Sequence, residues 1–181
     1  MKGAGFEFHA EGFVNSLGEL GRPKLDKSVA LALVDTANAA KTKGAQLIAK
    51  RTGLRSGTVK ERIYYQRVPV GQYYVEVKSS RRPIALIDFP SARQTGAGVQ
   101  VNVWGKSQLL RNAFITSSAG GRQVYRRRGR SRLPIRKLWG PTIYGTFATA
   151  EVQAVIRKTM QQRLQTALAR RIASAQRVSA R

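Results

Sequence analysis

The sequence predicts an α+β fold, with a central, mostly antiparallel sheet packed against long N-terminal and C-terminal helices and with extended basic loops. Three observations carry this. Apolar residues recur at helical spacing over two long stretches, one towards each end. Between them lie short runs of β-branched and aromatic residues with alternating polarity, bordered by Gly, Pro or Ser. The length of 181 residues, 42% of them hydrophobic, suits one domain with a real core and forces no second one. We place that domain at 23–173, after an N-terminal arm or short helix at 1–22 and before a flexible tail at 174–181.

In chain order, Ala10 to Leu20 reads as a short helix, with Phe13, Leu17 and Leu20 at 3–4 residue spacing and a stop at Gly21 and the Arg22-Pro23 step. A long helix follows from about Leu25 to Lys50. Leu25, Val29, Leu33, Ala37, Ala40, Gly44 and Ile48 fall on one stripe, while Lys27, Asp35, Lys41, Lys43 and Lys50 lie off it. Its length is about 39 Å at roughly 1.5 Å per residue, and its many alanines favour helix and leave a slim surface for close packing. Gly53 is the expected stop, and Ser56 the expected side-chain cap of a short helix carrying Val59-Lys60-Glu61-Arg62.

The period then changes. Tyr73–Lys78, Ile84–Phe89 and Val99–Trp104 read as strands, and Asn112–Thr116 and Gln123–Arg127 extend the same sheet. Pro90–Gly98, Ser117–Gly121 and Arg128–Arg132 read as loop excursions. From Thr149 to Ala173, Val152, Ile156, Met160, Leu164, Leu168 and Ile172 recur every four residues, the mark of an amphipathic helix. Its Arg157, Lys158, Arg163, Arg170 and Arg171 lie mainly off that stripe, as a solvated face or as a contact with DNA or an acidic subunit. Ser174 to Arg181 is expected to fray or to order on assembly.

Charge narrows the function classes. Thirty-three Lys and Arg against 9 Asp and Glu give a net charge of +24, and self-repulsion on that scale implies a polyanion or an acidic protein as partner. From Phe89 to Ala150 no residue is acidic, and the densest basic run is Tyr125-Arg126-Arg127-Arg128-Gly129-Arg130-Ser131-Arg132. Closely spaced guanidinium groups bind phosphates bidentately, and a glycine lets the backbone follow a curved polyanion. Such runs also occur in merely solvated loops. Tyr125, Trp139 and Tyr144 suit stacking on bases or, as aromatics among apolar neighbours, anchoring of an interface; we favour anchoring.

Enzyme chemistry finds little support. The chain has no Cys, which removes thiolate metal sites, cysteine nucleophiles and disulfides. His9 is the lone histidine, flanked by Glu7 and Glu11 without a visible nucleophile, and the carboxylates are too few and scattered for paired-carboxylate or two-metal chemistry. Gly96-Ala97-Gly98 and Gly120-Gly121 lack the Gly-Lys-Ser/Thr ending of a phosphate loop. No cofactor is expected. No apolar run approaches the roughly 20 residues that cross a bilayer, and Glu7 and His9 interrupt the start where a signal peptide would be apolar; synthesis in the cytoplasm is expected.

The order of three segments resembles a known family. Ala49-Lys50-Arg51-Thr52-Gly53-Leu54-Arg55 leads into Val59-Lys60-Glu61-Arg62, then come Asn112-Ala113-Phe114-Ile115 and Leu133-Pro134-Ile135-Arg136-Lys137-Leu138-Trp139-Gly140-Pro141. This is similar to the phage minor tail protein Z, or tail-completion, family over about Leu25 to Arg170; Met1–Gly21 and Pro90–Gly98 match nothing in that pattern. The resemblance implies a structural protein of the virion, at the head-proximal neck of the tail, made in the host cytoplasm. It further implies a homo-oligomeric ring, expected to be sixfold, next to tail terminator and head–tail connector proteins, with the packaged DNA passing through. On this reading Arg126, Arg127, Arg128, Arg130, Arg132 and Arg136 contact DNA or an acidic partner, and Leu138, Trp139 and Tyr144 form a subunit interface. The competing readings are a cellular nucleic-acid-binding protein of ribosomal or nucleoid type, and a phage scaffold or inhibitor that binds acidic protein.

Overall fold

The computed structural model describes residues 5–10, 22–66, 69–118, 121–129 and 131–179. Arg22–Thr52 forms α1, which lies antiparallel to α4, Ala150–Ser179. The apolar stripes meet as their periodicity requires: Val29, Leu33, Ala37, Ala40 and Ile48 of α1 and Val152, Ile156, Met160, Leu164 and Leu168 of α4 are all buried. Leu25 and Ile172 lie in helix, but their side chains are outside the described set. Gly44 permits close approach, since a Cβ there would stand 3.1 Å from Ile156 Cδ1. Two ion pairs pin the helices: Arg51 with Glu151 at one end, and Arg171 Nη2 with Asp35 Oδ2 at 2.9 Å farther along. The helix continues to Ser179, past the expected end at Ala173.

Gly53, at φ 74°, ends α1 and donates its N–H to Ala49 O at 2.9 Å. Helix α2, Ser56–Glu61, follows as expected but is capped differently. Ser56 is already its first helical residue; Arg55, extended and without a side-chain hydrogen bond, holds the cap position, so the serine hydroxyl does not cap this helix.

Among the described residues, the strands build three small three-stranded antiparallel sheets instead of one central sheet. In the first, β1 (Gly5–His9) and β2 (Ile63–Tyr65) flank β3 (Tyr74–Ser79). Phe8, Ala10, Ile63, Val75 and Val77 are buried, with β2 and β3 lying on α1, and Tyr73 donates its hydroxyl to Asp26 of that helix at 2.6 Å. The suggested helix from Ala10 to Leu20 falls almost wholly outside the described residues; Ala10 itself is non-helical and buried, its N–H donating to Tyr73 O.

The second sheet is β4 (Arg93–Thr95), β5 (Gly98–Val103) and β6 (Lys106–Arg111). Part of the presumed excursion Pro90–Gly98 is thus a hairpin arm, with Thr95 opposite Gly98. Gly98 is required there, because its φ is 144° and a Cβ would fall 2.2 Å from Leu110 O. Trp104 and Gly105, at φ 51° and 75°, form the two-residue turn from β5 to β6. The third sheet places β8 (Gly121–Arg127) between β7 (Ala113–Ser118) and β9 (Ile135–Lys137). Asn112, at φ 58°, turns the chain from one sheet into the next. Of the expected excursion at Ser117–Gly121, Ser117 and Ser118 belong to β7 and Gly121 to β8, and 119–120 lie outside the described residues.

Ile84–Phe89 is not a strand. Ala85 makes one bridge to Trp139, and Leu86–Asp88 then turns as a 3₁₀ helix. Ile84, Ala85, Leu86 and Phe89 are all buried, which an alternating strand facing water on one side cannot achieve but a tight turn can. Tyr144–Phe147 forms the short α3 that leads into α4.

Candidate functional site

Alternation along β8 sorts the basic run into two groups. Val124 faces the core, so Arg122 and Arg126 share its side of the sheet, while Tyr125 and Arg127 point the other way. Arg126 stands opposite Arg136 of β9 and opposite Ala113 of β7. Its Nε is buried with no hydrogen-bond partner, so the site holds two opposed cations and an unmet donor.

The outward side is an aromatic and cationic surface. Phe114 and Tyr125 are cross-strand partners stacked with ring centroids 6.3 Å apart. The Arg127 guanidinium lies over the Phe114 ring at 5.6 Å, and Lys137, opposite Tyr125, places its Nζ 4.1 Å from the centre of Trp139. Each cation rests on a ring, which holds it in place while leaving its donors for a ligand.

Arg128 and Arg132 are exposed in the segment joining β8 to β9, and Arg130 lies outside the described residues. The structure therefore brings Arg126, Arg127 and Arg136 to one sheet, with Arg128 and Arg132 on the connection. Arg128 N–H donates to Pro134 O at 3.2 Å, closing the base of that connection.

The three aromatic or apolar candidates have different settings. Trp139 is 52% exposed. Leu138 is partly buried against the core and donates its N–H to Val124 O. Tyr144 is half-buried beneath Arg81, whose guanidinium carbon sits 4.5 Å above the ring and whose Nη2 donates to the phenol oxygen at 2.8 Å.

Sequence reasoning missed the partner of the arginine strand. The β4–β5 turn comes against the end of the β7–β8 hairpin, leaving an open cleft of about 570 Å³ that Gln94, Gly96, Asn112, Phe114, Arg127 and Arg128 help to line. Gln94 braces the two sheets, its Oε1 accepting from Ile115 N–H at 2.7 Å and its Nε2 donating to Gly98 O at 3.3 Å. The available signal was Gly96 and Gly98 flanking Ala97, which read only as a turn.

His9 sits elsewhere, stacked on Tyr74 and 3.7 Å from Glu7, on the outer face of the first sheet. On the same face, the hydrogen bond from Lys78 to Glu76, at 2.5 Å, holds the Lys78 ammonium above the usual lysine range. Among the described residues no cluster of His, Cys, Asp and Glu is placed to hold a metal ion, and no helix is long and apolar enough to cross a membrane.

Comparison with known proteins gives one result. A family model described as prophage minor tail protein Z (GPZ) matches residues 9–178. No curated protein and no solved structure matches.

Proposed function

Because the chain belongs to the prophage minor tail protein Z family, and is thereby a structural component of a phage tail and its virion, we propose that it completes the head-proximal end of that tail. On this reading it sits in the neck as a homo-oligomeric ring, between the tail terminator and the head–tail connector, and supports head–tail joining and passage of DNA. The ring order expected from the family resemblance is six.

The observation that carries the reading beyond the family is the placement of charge. The third sheet and the connection at its edge gather Arg126, Arg127, Arg128 and Arg136 in a region that contains no acidic residue from Phe89 to Ala150. A protein lining a DNA path needs such a surface turned inward, where condensed counterions are displaced by fixed cations. Trp139, exposed beside that sheet, and Tyr144 suit contact with a neighbouring subunit, where aromatic anchors dominate binding. The family favours this reading over a ribosomal or nucleoid protein, for which bulk charge was the whole argument.

The test is electron microscopy of particles made after deletion of the gene from its source genome. Separate finished tails and DNA-filled heads, or joined particles that fail to deliver DNA, are the expected outcome. Normal infectious virions would remove the tail-completion reading.

A further inference from the structure

The cleft between the β4–β5 turn and the open end of the β7–β8 hairpin lies on the basic side, and its chemistry is one-sided. Arg127 and Arg128 bring guanidinium groups, which donate and never accept. Asn112 adds a side-chain amide, and no carboxylate lines the cleft. Gly96 and Gly129 both line it without side chains, and a Cβ at either would meet nothing within 4 Å. Backbone is thus open to a ligand at both positions.

A groove that offers several donors and no anionic acceptor selects an oxyanion, and forked guanidiniums match the geometry of phosphate. We infer that this cleft is a phosphate-binding site, filled by a phosphodiester of the DNA backbone. DNA is favoured as the source because the cleft is open and includes Arg128 and Gly129, with Ser131 and Arg132 exposed in the same connection, so a polymer can run through it with successive phosphates engaged. The inference rests on the DNA-facing reading above and adds the place and the chemistry of contact.

Gly96→Asp and Gly129→Asp insert a carboxylate into the cleft without steric conflict. Gly57→Asp is the control. It makes the same charge change at another glycine with open space around it, on α2, whose packing partners are α1 and β2. The full-length protein and these variants, matched for thermal unfolding, are titrated with inorganic phosphate, a short DNA duplex and poly-glutamate at fixed ionic strength. In ¹⁵N-labelled protein, phosphate is expected to shift the Gly96 and Gly129 amides and the Arg127 Nε first. Either cleft variant is expected to weaken duplex binding by about tenfold or more, the scale of a lost charge-assisted contact, and the control by less than about threefold.

Phosphate shifts spread evenly over all basic residues would overturn the site. Phosphate shifts confined to the cleft, with duplex binding equal in cleft variants and control, would keep the site but overturn DNA as its occupant, pointing to free phosphate. Discrimination with poly-glutamate alone would replace DNA with an acidic protein partner. The tail-completion reading is judged separately by the particles of the deletion phage.

Discussion

Arg126 occupies the core-facing side of β8, opposite Arg136, with its Nε buried and unpaired. Both features act against the folded state, since like charges directly across a ladder repel and a buried donor without an acceptor forfeits its hydration. An apolar side chain of similar length suffers neither. Arg126→Met is therefore expected to raise the melting temperature of the isolated protein by about 2–4 °C, the shift that roughly 1 kcal/mol produces at this size, while weakening binding to duplex DNA. Differential scanning calorimetry beside a DNA titration checks both halves. A lower melting temperature would mean that Arg126 has a stabilising partner. The sequence disclosed that a cluster of arginines existed but not this division of labour, because the division depends on which neighbour faces the core. Once Val124 is known to be buried, the alternation of β8 assigns Arg126 and Arg127 to opposite sides. Arg127 on the Phe114 ring depends in turn on the register of β8 against β7, which no single segment encodes, whereas Lys137 and Trp139 are two residues apart on one segment.

At the scale of elements, the α1–α4 pair is the frame on which the rest is mounted, and Gly44 is a point of close approach within it. The atoms nearest a Cβ there are Cδ1 and Cγ1 of Ile156, with Ile63 Cδ1 beyond them, so any larger side chain pushes into two buried residues at once. Gly44→Val is expected to destabilise the protein by about 1–3 kcal/mol through overpacking, and pairing it with Ile156→Ala should recover part of that loss. Denaturant unfolding of the two single variants and the double reads the coupling; simple additivity would mean that the helices part without strain. These helices were legible in the sequence because their stripes are long and regular. The strands were legible in proportion to how one-sided their burial is. Val99, Val101 and Val103 alternate and are buried, so β5 was found, whereas Lys106–Arg111 only partly buries Leu110 and is held mainly through its backbone pairing with β5. Strands β2, β4 and β9 have three residues each, too short for any period to show. The division into three sheets was hidden for a related reason: it is set by the left-handed backbone at Asn112 and by Leu86 and Phe89 packing as a turn.

For the whole molecule, the fold must hold together a chain of net charge +24 with few internal counterions. The described ion pairs of Arg51 with Glu151 and Arg171 with Asp35 tie the helices, while no ion pair is found in the third sheet among the described residues. Repulsion is thus concentrated where the arginines gather. Raising NaCl from about 10 mM to about 150 mM shortens the screening length from roughly 30 Å to roughly 8 Å, which is shorter than the span of the molecule. Screening then relieves the repulsion between distant cations more than it weakens the few close ion pairs. The isolated monomer is accordingly expected to melt several degrees higher at the upper salt concentration, and duplex DNA at low salt should give at least as large a rise by neutralising the same surface and binding the native state. Thermal scans at several protein concentrations separate this from association. A melting temperature insensitive to salt but rising with protein concentration would show that subunits already screen one another, placing the relief of charge in the oligomer before any DNA arrives.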